Sequence, residues 1–140
     1  MQRQTELQNW LRAVYPEQNF ELSFAAADAD FRRYFRATIA DGKTVICMDA
    51  PPDKMSVAPY LKVQKLFNML NVPQVLYVDE AQGFMVLNDL GSTTFLTAMQ
   101  QEQGADAHKV LLLEAIDELV GLQKASRAGE LPEYDRDIML

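Results

Sequence analysis

Apolar and polar positions change their period along the chain, and each period predicts a different element. Near the start, apolar residues recur at spacings of three and four, which predicts a helix over residues 3–15. From residue 20 onward, apolar and polar residues alternate, as expected of strands that bury one face. Strands are predicted at residues 20–24, 31–39, 43–49, 75–78 and 84–87.

The connections between these strands indicate an antiparallel sheet. Asp41-Gly42, between the second and third strands, is the strongest hairpin sequence in the chain. A pair of prolines ends the third strand, because proline has no N–H to donate to a neighbouring strand. The predicted fold is therefore α+β, with a five-stranded antiparallel sheet and its helices segregated to one side.

Further helices are predicted at residues 57–70, 93–101 and 107–126. Ser92 and Asp106 are the expected N-caps of the last two, since their side-chain oxygens can accept a hydrogen bond from the first turn. The last helix is apolar over much more than one face, so we expect it to contact partners on more than one side.

Composition limits the classes of function. The chain has 140 residues and a formal net charge of −7, with 49% hydrophobic residues and one cysteine. This acidic balance argues against nucleic-acid binding, which needs clustered positive charge, and a single cysteine excludes an internal disulfide. No apolar run approaches the ~18 residues that span a membrane, and the first residues lack the apolar core of a signal peptide. We therefore expect a cytoplasmic protein, with Cys47 as a core residue.

Several blocks of sequence resemble the aminoglycoside phosphotransferase-like kinases, and are most similar to the bacterial N-acetylmuramate/N-acetylglucosamine anomeric kinases of cell-wall sugar recycling. These blocks are residues 27–36, 45–52, 71–73, 83–91 and 131–135. The resemblance implies a protein-kinase-like small lobe that binds the nucleotide over residues 1–91. Residues 92–140 would then form the hinge and the first helices of an incomplete large lobe. The implied reaction is ATP-dependent phosphorylation of a sugar hydroxyl, with Mg²⁺ in the full-length enzyme.

The same resemblance implies a set of nucleotide-binding residues: Asp28 and Ala29 in the loop over the phosphates, Phe31 over adenine, Arg33 at the phosphates, Met48 where such kinases place a lysine, Leu87 behind adenine, and the backbone of Asn88 and Leu90 at the adenine edge. Alternation along a strand puts Phe31 and Arg33 on one face, which favours Arg33 for phosphate. The other basic candidates are Arg32, Arg36, Lys43 and Lys62. Asp49, at a strand end, is a further candidate for a functional role.

The motif that would carry catalysis is not in this sequence. Kinases of this kind position the hydroxyl and Mg²⁺ with a His-Gly-Asp motif and later residues of the large lobe, and no His-x-Asp occurs here. We therefore expect no catalytic or metal-binding residue, no activity of this chain alone, and amino-sugar binding only with the missing lobe. The alternative is a non-catalytic interaction or regulatory module that self-associates, or binds a partner, through exposed helices.

Overall fold

The computed structural model describes residues 2–27 and 31–131. Its elements are α1 (Gln2–Val14), β1 (Glu21–Ala27), β2 (Arg33–Thr38), β3 (Thr44–Asp49), α2 (Ala58–Leu66), β4 (Val75–Asp79), β5 (Phe84–Asn88), α3 (Phe95–Gln101) and α4 (Ala105–Ala125), with one 3₁₀ turn at Ala40–Gly42. The chain forms two compact units. The first comprises the described parts of Met1–Leu61 together with Pro73–Leu90, and the second comprises Lys62–Val72 and the described part of Gly91–Leu140.

The five strands form one antiparallel sheet in the order β1-β2-β3-β5-β4. The Asp-Gly prediction is confirmed: Asp41 and Gly42 have φ values of 63° and 72° at the turn between β2 and β3. Positive φ at both central residues is what a tight hairpin turn requires. The α+β fold with a five-stranded antiparallel sheet is therefore confirmed.

One face of the sheet, here called the α1 face, is covered by the first helix. Leu7 and Leu11 of α1 are buried against Phe35, Cys47 and Phe84 of three central strands. The spacing of four between the two leucines places both on the side of the helix that meets the sheet. The predicted amphipathic helix is confirmed, with bounds shifted by one residue.

The opposite face, here called the α2 face, is also covered. Met48 and Leu87 are buried there with Val57, while Tyr60 and Leu61 at the start of α2 pack against them. The prediction that the helices lie on one side of the sheet is therefore wrong. Apolar residues occupy both odd and even positions of β3 and β5, so both faces of these strands need cover.

The predicted helix ends in the second half of the chain also need correction. The N-cap of α3 is Thr94, whose Oγ1 accepts from the Thr97 N–H at 3.1 Å, and not Ser92. Gly104 is the N-cap of α4, and Asp106 lies in the first turn of that helix instead. There the carboxylate is still favourable, because helix N-termini carry partial positive charge. The helix predicted to reach residue 70 ends at Leu66.

Candidate nucleotide-binding site

The α2 face brings together two of the predicted site residues. Met48 and Leu87 belong to one buried cluster, and Leu87 lies directly across from Ile46 on β3. Ile46 is only half-buried, so it offers apolar surface next to Leu87. Met48, which was predicted to stand where such kinases place a lysine, is fully buried, and its thioether has no charge to offer a phosphate.

Arg33 lies on the other side of the sheet, on the α1 face. Its Nη2 donates to Asp49 Oδ2 at 2.7 Å, while Arg3 of α1 donates to Asp49 Oδ1 through Nη2 at 2.6 Å and Nε at 3.1 Å. Asp49 is fully buried, and we call these three residues the Asp49 cluster. Arg3 also donates to the Gln82 carbonyl at 2.6 Å and lies 4.4 Å from the ring centroid of Phe84. Asp49 therefore ties α1 to two strands.

The loop between β1 and β2 is only partly described, and the predicted Asp28 and Ala29 lie outside the described residues, as do residues 132–135 of the family resemblance. Phe31 follows that loop and is exposed. The ammonium group of Lys54 lies 5.6 Å from the centroid of the Phe31 ring, within the range of a cation–π contact. Lys54 was not among the predicted residues, because no sequence pattern links the segment after β3 to this loop.

The end of β5 carries the predicted backbone site. The Asn88 N–H donates to the Gln74 carbonyl at 3.1 Å, and the Asn88 Oδ1 accepts from the Gln74 N–H at 2.6 Å. Leu90 is exposed and is the last residue of the first unit. The N–H of Asn88 is thus engaged within the protein, which leaves its carbonyl as the group to consider for a ligand.

Asp89 lies between Asn88 and Leu90 in the chain, and it is the centre of a cluster of side chains that the sequence analysis missed. Its carboxylate accepts from Arg36 Nε at 2.6 Å and Arg36 Nη2 at 3.2 Å, and from Thr44 Oγ1 at 2.8 Å. The hydrogen bond to Asp89 raises the pKa of Arg36 above its usual value. We call these three residues the Asp89 cluster. It joins residues up to 53 positions apart, so no local pattern could have revealed it.

Other kinds of site find little support in the described part of the chain. Within residues 2–27 and 31–131, no three His, Cys, Asp or Glu side chains are grouped so as to hold a metal ion. No helix in those ranges is long and apolar enough to cross a membrane. Burial raises the pKa of the Cys47 thiol to about 12, so it stays protonated at neutral pH. It is fully buried in the α1-face core, which agrees with the prediction of a core residue.

The chain is similar in sequence to three curated kinases that share one name. It is 76% identical over 140 residues to the N-acetylmuramate/N-acetylglucosamine kinase of Neisseria meningitidis serogroup B. The chain is homologous to part of this kinase. Kinases of the same name from Pseudomonas aeruginosa and Pseudomonas putida are 37% identical over 121 residues and 36% identical over 116 residues. The predicted resemblance to these kinases is therefore confirmed.

The matches include most of this chain but less than half of each relative. The Neisseria match includes the whole chain but 42% of the relative, and the two Pseudomonas matches include 85% and 81% of the chain but 34% and 33% of the relatives. The chain thus spans less than half the length of the curated kinases it matches. No family model matches the chain.

Proposed function

We propose that this chain is the nucleotide-binding N-terminal part of an ATP-dependent amino-sugar kinase. The parent reaction would move the γ-phosphoryl group of ATP to a hydroxyl of N-acetylmuramate or N-acetylglucosamine during cell-wall recycling. The observation that carries this proposal is the 76% identity, over the whole chain, to a kinase named for those two sugars. The five-stranded antiparallel sheet supports it, since such a sheet is what the family resemblance implied for the nucleotide-binding lobe.

Adenine would lie against the α2 face, beside Ile46 and in front of the buried Leu87. It presents an amino group that donates a hydrogen bond and a ring nitrogen that accepts one. Because the Asn88 N–H is donated to Gln74, we assign the amino group of adenine to the Asn88 carbonyl and its ring nitrogen to the Leu90 N–H. This assignment uses only backbone groups at the exposed end of β5.

The phosphate contact has two competing candidates. The sequence-based roles of Asp28, Ala29 and Arg33 stay predictions; Arg33 is paired with a buried carboxylate on the α1 face. Lys54 is exposed beside Phe31 at the end of the β1–β2 loop, and its ammonium group lies 3.9 Å from a carboxylate oxygen of Asp53. We therefore propose Lys54 as the cation that the missing strand lysine would otherwise supply.

Substitution separates these two candidates. In a chimera in which this chain replaces the region it matches in the Neisseria kinase, Lys54→Ala should raise the KM for ATP about tenfold, near the lower limit for loss of a hydrogen bond to a charged group. It should leave the melting temperature unchanged, because the side chain is exposed. Arg33→Ala should lower the melting temperature, since it removes one partner of Asp49. If Arg33→Ala raises the KM for ATP and Lys54→Ala does not, the assignment to Lys54 is wrong and the sequence-based assignment is correct.

Magnesium and the catalytic groups would come from elsewhere in the longer protein. The described residues contain no group of three His, Cys, Asp or Glu side chains that could hold a metal ion. The carboxylates that would bind Mg²⁺ together with the phosphates of ATP are therefore proposed to belong to the rest of the longer protein. The groups that position the sugar hydroxyl would belong to the part of the relatives that this chain does not match. Alone, the chain should bind nucleotide weakly or not at all and should not transfer phosphate.

A chimera tests the proposal directly. The chain replaces the region it matches in the Neisseria kinase, and ATP-dependent phosphorylation of N-acetylmuramate and N-acetylglucosamine is measured. We expect activity from the chimera and from the parent kinase, but none from the chain alone or from the parent without that region. A chimera that folds, as judged by a cooperative melting transition, but neither binds ATP nor phosphorylates either sugar would refute the proposed function.

One observation favours a second candidate, a self-associating interaction module. Seven large apolar residues of α4 are 39–56% exposed, whereas exposed apolar residues on an ordinary surface are scattered singly. They are Val110, Leu112, Leu113, Ile116, Leu119, Val120 and Leu122. This candidate predicts a dimer of the 140-residue chain in analytical ultracentrifugation, which Leu112→Gln with Ile116→Gln should convert to monomer. A monomer at the highest attainable concentration would count against it.

A further inference from the structure

The Asp89 cluster links three strands at one end of the sheet. Arg36 comes from β2, Thr44 from the start of β3, and Asp89 from the residue that follows β5. Arg36 and Leu87 are both direct cross-strand partners of Ile46. The cluster therefore continues the row of side chains on the α2 face against which we place adenine. None of its three members has a part in the proposed function so far.

The hydrogen bonds between Arg36 and Asp89 join two charged groups, and such hydrogen bonds are stronger than those between neutral groups. Arg36 binds both carboxylate oxygens of Asp89, which is the paired geometry that fixes orientation as well as distance. The Asp89 side chain is only 7% exposed, so water screens the pair less than it would at the surface. The Thr44 hydroxyl adds a third hydrogen bond to the same carboxylate.

The contacts of Asp89 also restrain the backbone on either side of it. Asp89 is covalently joined to Asn88 on one side and to Leu90 on the other. Asn88 is also held to Gln74 by two hydrogen bonds, whereas Leu90 is exposed and is followed by Gly91 at φ 97°, where the chain leaves the first unit. The side chain of Asp89 thus fixes the backbone between Asn88 and Leu90 to β2 and β3.

We infer that Asp89 is a positioning residue for adenine: held by Arg36 and Thr44, it fixes the backbone groups of Asn88 and Leu90 at the spacing that the adenine edge needs. This inference rests on the proposed function. Asp89 does not itself touch the nucleotide. It acts on the distance between a carbonyl and an N–H that lie on either side of it in the chain.

The test compares two nucleotides in the chimera described above. Purine riboside triphosphate lacks the exocyclic amino group of adenine, so the ratio of its KM to that of ATP measures the hydrogen bond to the Asn88 carbonyl. In the unsubstituted chimera this ratio should be about five, the value of one ordinary hydrogen bond. Asp89→Ala should raise the KM for ATP about fivefold, leave that for purine riboside triphosphate nearly unchanged, and bring the ratio to about one.

Two further variants isolate the mechanism. Asp89→Asn keeps an oxygen acceptor for Arg36 and Thr44 and should retain part of the discrimination. Asp53→Ala removes a carboxylate that is 73% exposed and lies 3.9 Å from the ammonium group of Lys54, and it should leave the ratio at its original value. Asp89→Ala should lower the melting temperature under either role, because Arg36 and Thr44 lose their shared partner. A merely structural role for Asp89 would weaken both nucleotides equally and leave the KM ratio at about five.

The outcomes separate the two proposals. If the unsubstituted chimera is active and Asp89→Ala leaves the KM ratio unchanged, the positioning role is refuted while the kinase function stands. If the unsubstituted chimera folds and is inactive, the proposed function fails, and the inference about Asp89 fails with it. A ratio that falls to about one in Asp89→Ala but not in Asp53→Ala supports the inference.

Discussion

Removing the carboxylate of Asp49 should destabilise the first unit more than any surface substitution. Asp49 is fully buried and accepts three hydrogen bonds from Arg3 and Arg33. Breaking a buried ion pair by deleting one partner costs about 3–5 kcal/mol, because the other charge is left uncompensated. The two arginines left behind are 25% and 36% exposed, so water can reach them. We therefore expect the lower end of that range, about 3 kcal/mol, for Asp49→Ala.

That magnitude is easy to detect in a chain of this size. Total stabilities of single domains are about 5–15 kcal/mol, so about 3 kcal/mol is a large share. It corresponds to a fall in the melting temperature of roughly 6–12 °C at about 2–4 °C per kcal/mol. Urea unfolding followed by circular dichroism gives the free energy directly, with Asp53→Ala as the matched control, which should change stability by less than about 0.5 kcal/mol.

A double-mutant cycle identifies the cause. If the loss comes from unpaired charge, Asp49→Ala combined with Arg3→Ala should cost less than the sum of the two single substitutions. Arg3→Ala alone should also be costly, because it leaves Asp49 with one partner and removes the bond to the Gln82 carbonyl. Additive effects of the two substitutions, or an Asp49→Ala protein as stable as the Asp53→Ala control, would refute the reasoning.

Two other predictions concern the same sheet. The pKa of Cys47 is raised from 9.0 to about 12. The contribution of Cys47 to stability should therefore be constant below pH 9 and then fall with rising pH, on the order of 1.4 kcal/mol per unit up to pH 12, because only the unfolded state loses the thiol proton in that range. A Cys47→Ala protein measured in parallel should lack this component, and equal slopes above pH 9 would contradict the prediction. Gly83→Ala should lower the free energy of unfolding, measured in urea, by about 1–3 kcal/mol more than Gly42→Ala does. Both glycines have φ above 70°, but only at Gly83 would the new Cβ lie 1.8 Å from the Ala50 carbonyl oxygen. Equal losses at the two positions would show that a small shift of the backbone relieves this clash.

Local sequence patterns predicted which helices and strands exist, because the formation of these elements depends largely on interactions between residues close in sequence. Strand alternation, the amphipathic first helix and the Asp-Gly hairpin all depend on residues close in sequence. Helix starts were less predictable, since Ser92, Thr93 and Thr94 are all competent N-caps. Their side chains offer nearly equal local energy, so the cap at Thr94 depends on where the backbone enters the helix. Sequence alone offers no means to rank the three.

The candidate site shows where pattern reasoning stops. Alternation correctly separates Arg33 from Arg36, because neighbouring residues of opposite parity in a strand face opposite sides. It does not indicate which side α1 covers, since β5 is buried from Phe84 to Leu87 and has no polar face to mark solvent. Only the long-range pairings decide the matter: Arg33 meets a buried carboxylate next to α1, and Arg36 meets the carboxylate of Asp89. Each arginine is committed to a partner more than 15 positions away, so neither is available to phosphate without losing an ion pair, and this is the physical reason to look to the exposed Lys54 instead.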